Sequence, residues 1–249
     1  IIRLTDNALG AVVEGFNEPT NVSFANDSGY VFVSDSAQGQ IGVIDVGSGQ
    51  RLDPVGLSIK GADAGAISAV TRTPNGLYGL VGERDSGKIS VINSRNWTEG
   101  KTLTVGKGAT RAYGTADGRF MMIASTSDKT VSIISTDNFD IAAILPGFSD
   151  VTSITTGYFE TLAFVVGGAA KKAAVIDLET MKVVSEIEFG GTPGPAVVDA
   201  DGKRMYVALA DTNELLVIDV YAKSIIKRIG NVGTQPSGVN LAATNNYCH

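Results

Sequence analysis

The 249-residue chain reads as an all-β protein, a β-propeller of six four-stranded blades, and three observations say so. Apolar runs that end in a polar residue recur along the chain. Val217-Ile218-Asp219-Val220 echoes Val175-Ile176-Asp177-Leu178 and Val43-Ile44-Asp45-Val46, with weaker copies at Val91-Ile92-Asn93, Ile133-Ile134-Ser135 and Arg3-Leu4-Thr5-Asp6. Their polar anchors, at 6, 45, 93, 135, 177 and 219, are spaced by 39, 48, 42, 42 and 42 residues. A period of about forty residues built from short strands marks a propeller. A second column of positions lies 26 residues before the last five anchors: Pro19, Ile67, Ala109, Val151 and Pro193, with Pro236 as a sixth member. Proline suits a place just before a first strand, where a missing N–H is tolerated. Finally, the 30 glycines suit a chain of many tight turns, and no segment carries helical periodicity.

The blades follow in order. Residues 1–4 and 10–13 read as two strands around a turn at Asp6-Asn7. The first full blade (17–55) opens at Pro19 and takes strands at 22–24, 30–33, 41–46 and, weakly, 51–55. Its first hairpin turn, Asn26-Asp27-Ser28-Gly29, puts glycine where positive φ is needed. The second (56–105) takes 68–71, 77–81, 89–92 and 101–105 around Pro74-Asn75-Gly76. The third (106–145) takes 111–114, 120–124, 131–134 and 141–145 around Asp117-Gly118. The fourth (146–189) takes 153–155, 162–166, 173–176 and 182–187, with a looser turn at 158–161. The fifth (190–230) takes 196–198, 205–209, 215–218 and 224–229 around Asp201-Gly202. Second-strand runs such as Leu162-Ala163-Phe164-Val165-Val166 are apolar throughout, as strands covered on both faces are.

The last unit is incomplete. A strand is expected at 239–241 and a turn at Thr244-Asn245-Asn246, but the anchor that Pro236 implies would fall beyond His249. Asp6, conversely, is an anchor with only five residues before it. Residues 231–249 and 1–13 are therefore expected to form one composite blade, Ile1–Leu4 lying beside Tyr247–His249, which would leave no open edge. The alternative is a fragment of a seven-bladed propeller. The chain opens on Ile1 with no signal-like segment, so it is expected to be a processed mature chain or an excised piece.

Composition narrows the function. Net charge is −6, which argues against a nucleic-acid binder that must displace counterions with a basic surface. No apolar run approaches the roughly 18 residues of a membrane span. Cys248 is the one cysteine, so no intrachain disulfide forms.

The fifth unit resembles a known repeat. Asp-Gly-Lys-Arg-Met-Tyr-Val-Ala at 201–208, Leu-Val-Ile-Asp at 216–219, Ile-Ile-Lys-Arg-Ile-Gly at 225–230 and the opening Gly-Thr-Pro at 191–193 are similar to the YVTN-type β-propeller repeat. The similarity is strongest from 173 to 241; units two and three depart from it, with Asn93 and Ser135 in place of aspartate. The resemblance implies a propeller of the periplasm, the cell surface or the extracellular space. It implies no single activity, because function resides in sites and not in folds.

Chemical motifs are scarce. Asn245 stands where a Cys-x-x-Cys-His haem motif needs its first cysteine, and His249 with Cys248 cannot make a zinc site. With one histidine no Ser-His-Asp triad exists around an internal imidazole. Asp45, Asp177 and Asp219 fall in different blades and are expected to accept backbone N–H groups in the turn after the third strand. Residues 35–40 lack the carboxylates of a calcium loop, and Gly-Gly-Thr-Pro-Gly-Pro at 190–195 precedes a strand, so it is a turn and not a phosphate cradle. Asn96-Trp97-Thr98 fits the N-glycosylation pattern and is placed in an inserted outer loop that would explain the 48-residue step. No cofactor is expected.

A ligand would meet the loops between second and third strands together with those between blades, since both lie at one end of an up-and-down blade. Arg84, Lys107, Arg111, Tyr113, Lys129 and Lys171 are the candidate partner-binding residues there. The expected function is a non-catalytic scaffold that binds a protein partner through this face. A propeller subunit of a periplasmic or extracellular redox complex, with a cofactor at an interface, and a lactonase-like hydrolase are the alternatives.

Overall fold

The structure, a computed structural model, describes residues 1–24, 29–37, 39–52, 57–58, 67–68, 70–96 and 98–241. The chain divides into two compact units at residue 112. Every described element is a strand. Among the described residues no helix is long and apolar enough to cross a membrane.

In the first unit a hairpin pairs Ile2–Arg3 with Ala8–Leu9. A first sheet follows, with Pro19–Phe24, Tyr30–Asp35, Gln40–Asp45 and Gln50–Arg51 in order, and Leu57–Ser58 also pairing with the third strand. The second sheet orders Thr71–Arg72, Tyr78–Glu83, Lys88–Asn93 and Thr98–Thr104. Phe32, Ile41 and Val43 of the first sheet share a core with Val70, Val81 and Ile92 of the second. On the other face of the first sheet, Val31, Val33 and Ile44 pack with Val13 and Phe16 of the N-terminal segment. Phe16 is held there by Arg51, whose guanidinium lies 4.6 Å from its ring and donates to Gly15 O. That face stays open farther along: Val22 and Phe24 are 60% and 48% exposed beside an apolar groove of about 620 Å³.

Three more sheets repeat the meander, and all but residues 109–112 of their first strand belong to the second unit. They run Ala109–Gly114, Phe120–Ser125, Thr130–Ser135, Ile141–Pro146; then Val151–Gly157, Leu162–Gly167, Lys172–Asp177, Lys182–Glu188; then Val197–Val198, Arg204–Leu209, Glu214–Asp219, Ser224–Gly230. Side chains alternate across a strand, and the middle sheet uses both faces. Ala163, Val165, Ala174 and Ile176 pack on Met122, Ala124, Val131 and Ile133. Their neighbours Phe164, Val166, Ala173 and Val175 pack on Met205, Val207, Leu216 and Ile218. A sheet sandwiched this way buries every residue of Leu162–Gly167, which is why that run shows no polar alternation. The fourth strands are largely exposed, and charged residues such as Lys182, Glu186, Lys227 and Arg228 mark them, the usual protection of an edge against further pairing. In each of four sheets the third and fourth strands slip register near the centre, a repeated bulge that increases twist.

Several expectations shift. Residues 10–13 form no strand; the N-terminal hairpin closes earlier, with Gly10 N donating to Ile1 O at 2.9 Å. Residues 239–241 form no strand either. The composite pairing of Ile1–Leu4 with Tyr247–His249 lies outside the described residues, as do Cys248 and the turn at 244–246. The extra length in the 48-residue step is not at Asn96. Asn93 pairs with Thr98 as Asp177 pairs with Lys182 and Asp219 with Ser224, so that turn has ordinary length. The insertion falls between Asp45 and Ile67, where the spacing is 22 residues against 16 from Asp177 to Pro193. Ile67 and Pro193 are the matched positions, since each bridges to the last residue of its second strand's register, Glu83 and Leu209.

Candidate functional site

The anchor residues are turn acceptors. Asp45 accepts Ser48 N at 2.6 Å and Ser48 Oγ at 2.8 Å. Asp177 accepts Glu179 N, Thr180 N and Thr180 Oγ1 at 3.0, 2.7 and 2.9 Å. Asp219 accepts Ala222 N at 2.9 Å and pairs with Arg204 at 2.8 Å. Asn93, where aspartate is missing, does the same for Arg95 N. The amides of Ser48 and Thr180 stabilise the charged carboxylate and hold Asp45 and Asp177 below the ordinary range.

A second set of carboxylates fixes the loop end. Asp35 accepts Asn17 N and Glu18 N at 2.8 and 3.0 Å, Asp150 accepts Ala169 N at 2.9 Å, and Asp211 accepts Thr192 N and Oγ1 at 2.6 and 3.0 Å. Asn213 likewise accepts Gln235 N. Each bond ties an inter-blade loop to a turn between second and third strands, 17 to 22 residues away in sequence. Lys171 also bonds Asp211, at 2.8 Å, so the turns of the fourth and fifth sheets are linked. Lys171 first and the Thr192 amide second hold Asp211 well below the usual carboxylate range. These aspartates are clamps, and sequence reasoning missed that role because their partners are distant along the chain.

The six candidate residues are placed as follows. In the first unit Arg84 and Lys107 are exposed, and their loops meet where Gly108 N donates to Arg84 O at 2.6 Å. Arg84 also lies 3.7 Å from Asp85. In the second unit Lys129 is exposed on a left-handed turn residue whose carbonyl accepts Gly147 N and Phe148 N. Lys171 is exposed and committed to Asp211. Arg111 and Tyr113 belong to the inner strand Ala109–Gly114, with Tyr113 half-buried against the core of Met122 and Ile154. The structure thus joins Arg84 to Lys107 through their loops and Lys171 to Asp211. Among the described residues no group of three or more His, Cys, Asp or Glu side chains is placed to hold a metal ion.

Comparison with known proteins agrees with this architecture. The model of the YNCE-like beta-propeller family matches residues 112–245, and the chain belongs to that family. No curated protein matches. Among solved structures the chain is similar to the dihydro-heme d1 dehydrogenase NirN in complex with DHE, at 19% identity and a TM-score of 0.69 over 86% of this chain. The chain spans 48% of the length of that one. It is also similar to hydrazine synthase from Kuenenia stuttgartiensis, at 13% identity and a TM-score of 0.58, covering 92% of this chain and 91% of the other. The fold is all-β and a β-propeller.

Proposed function

We propose that the chain is a non-catalytic binding module that holds a protein partner through the loop end of its blades. The observation that supports this is the division of labour among charges there. Asp35, Asp150 and Asp211 are consumed in clamps, whereas the cations are exposed on loops tied by backbone bonds: in the first unit Arg84 and Lys107, through Gly108 N donating to Arg84 O, and in the second Lys129, whose carbonyl accepts Gly147 N and Phe148 N. Loops held this way are pre-organised, so little entropy is lost on docking. A display of cations on a chain of net charge −6 suits a partner with an acidic patch. In this reading residues 231–249 and 1–13 complete a sixth blade, and the repeat is of the YVTN type within its family.

A second reading adds a setting. The partner belongs to a redox assembly outside the cytoplasm, and the cofactor sits at the interface. What favours it is the likeness in fold to a dihydro-heme d1 dehydrogenase and to hydrazine synthase.

Charge reversal tests the surface. Arg84→Glu with Lys107→Glu is expected to weaken capture of the native partner by about tenfold and to flatten its salt dependence, with the melting temperature unchanged. Arg95→Glu, on the exposed turn at the opposite end of the same sheet, is expected to leave capture intact. Equal losses from both substitutions would rule out a one-ended surface.

A further inference from the structure

At the opposite end of the fourth and fifth sheets the repeat is broken in a specific way. The second, third and fifth sheets turn between first and second strands with glycine at positive φ: Gly76, Gly118 and Gly202. The fourth sheet uses Tyr158, Phe159 and Glu160 instead, and all three are left-handed, with φ of 51°, 56° and 60°. In that region the Cβ crowds the following carbonyl oxygen, so each of the three residues is strained. The turn persists because its neighbours hold it. Tyr158 N donates to Gly202 O at 2.9 Å, and Thr161 Oγ1 donates to Tyr158 O at 2.7 Å. The Glu160 carboxylate is buried and accepts Ala116 N at 2.8 Å and Thr156 Oγ1 at 2.5 Å. Arg119 Nη2 donates to Glu160 O at 3.0 Å.

The product of this bracing is an exposed aromatic cluster. Phe159 is 80% exposed and Tyr221 63% exposed. The Tyr158 ring lies 4.6 Å from that of Tyr221 at a tilt of 36°, and meets Phe159 edge-on at 5.4 Å. Beside the rings a cleft of about 310 Å³ is bordered by two ion pairs, Lys203 with Asp201 at 3.0 Å and Arg204 with Asp219 at 2.8 Å. Burial does not explain a phenylalanine held out in solvent by a strained backbone, and glycine would make the turn without strain.

We infer that this cleft binds a neutral hexopyranose unit of a saccharide. The aromatic faces offer a platform for the apolar C–H face of a sugar ring. Each ion pair offers an acceptor and a donor side by side, which a sugar hydroxyl matches by donating to the carboxylate and accepting from the cation. The charged residues lining the cleft are two cations and two carboxylates, so the lining carries no net charge, and Lys223, 6.0 Å from the Tyr221 ring, donates to Tyr221 O. The volume suits one ring at the low end of small-molecule sites. The site is separate from the loop-end surface, and its test does not depend on that proposal.

Saturation-transfer NMR on the full chain decides the matter. The probes are the methyl glycosides of glucose, galactose, mannose and N-acetylglucosamine. At least one is expected to receive saturation on its ring C–H protons. The signal is expected to fall about fivefold or more in Phe159→Gly and in Tyr221→Ala, and to be unchanged in Arg84→Glu. Phe159→Gly is expected to keep or raise the melting temperature, since glycine relieves the left-handed strain. No transfer to any probe, or equal transfer in the variants, would overturn the inference. A lowered melting temperature in Phe159→Gly would do so too, by showing that the ring serves the fold. An oligothymidylate that binds the chain and loses binding in the same two variants would make this a nucleic-acid stacking site instead.

Discussion

Replacing Phe164 with alanine is expected to lower the unfolding free energy by about 3–5 kcal/mol, read from the midpoint of a denaturant titration. Phe164 is 0% exposed and sits at the centre of the cluster between the fourth and fifth sheets, among Val166, Val175, Met205, Val207 and Leu216. Truncation removes a whole ring from a site fixed by strands on both sides, so the surroundings collapse little and the cavity term adds to the transfer term. Domains are typically stable by about 5–15 kcal/mol, so the loss is a large share of the total. Val183→Ala, at a residue 44% exposed on an outer strand, is the matched control. It is expected to change stability by no more than about 0.5 kcal/mol. Similar losses at the two positions would mean that the sheets are not stacked as described.

Gly87→Ala is expected to cost about 3 kcal/mol, from a left-handed backbone and a clash that act together. Gly87 has φ of 69°, and a Cβ there would lie 2.5 Å from Gly106 C, 2.7 Å from its oxygen and 2.8 Å from Lys107 N. Those are backbone atoms, so no side-chain rotation relieves the contact. The same glycine receives Val105 N and Gly106 N on its carbonyl, at 2.8 and 3.1 Å, and donates to Glu83 O. It is therefore the point at which the turn carrying Arg84 meets the loop carrying Lys107. Partner capture is expected to weaken in Gly87→Ala even at a temperature where circular dichroism shows the chain folded. A loss below about 1 kcal/mol with capture intact would show that the loop shifts freely and that its position does not matter.

What the sequence disclosed depended on how local the physics is. The anchors at Asp45, Asp177 and Asp219 were readable because an aspartate finds its acceptor role two or three residues away. The buried second strands were readable because both-face burial removes polar alternation from one short run. The clamps were hidden: Asp211 bonds to Thr192 and Lys171, 19 and 40 residues distant, and nothing near Asp211 announces either. The insertion was misplaced because an Asn-x-Thr triplet looks like a loop, whereas the strand at Leu57–Ser58 is revealed by its pairing with Gln40 and Ile41. Apolar content also misled at 10–13, where Val12 is 70% exposed and no strand forms. The aromatic cleft left a trace, since Tyr158-Phe159-Glu160 stands where the turns of the second, third and fifth sheets carry Asn-Gly or Asp-Gly. Its bracing by Ala116, Arg119 and Gly202 needed the assembled sheets.

The proposed role as a binding module without chemistry of its own is tested most directly by where the colour and metal reside. The chain, recovered with its partner from the native source and then separated from it, is examined by visible absorption and metal analysis of each component. The account predicts that any chromophore or metal of the complex stays with the partner, and that the separated chain is colourless and metal-free. A separated chain that retains a visible band or one metal ion per molecule would contradict it.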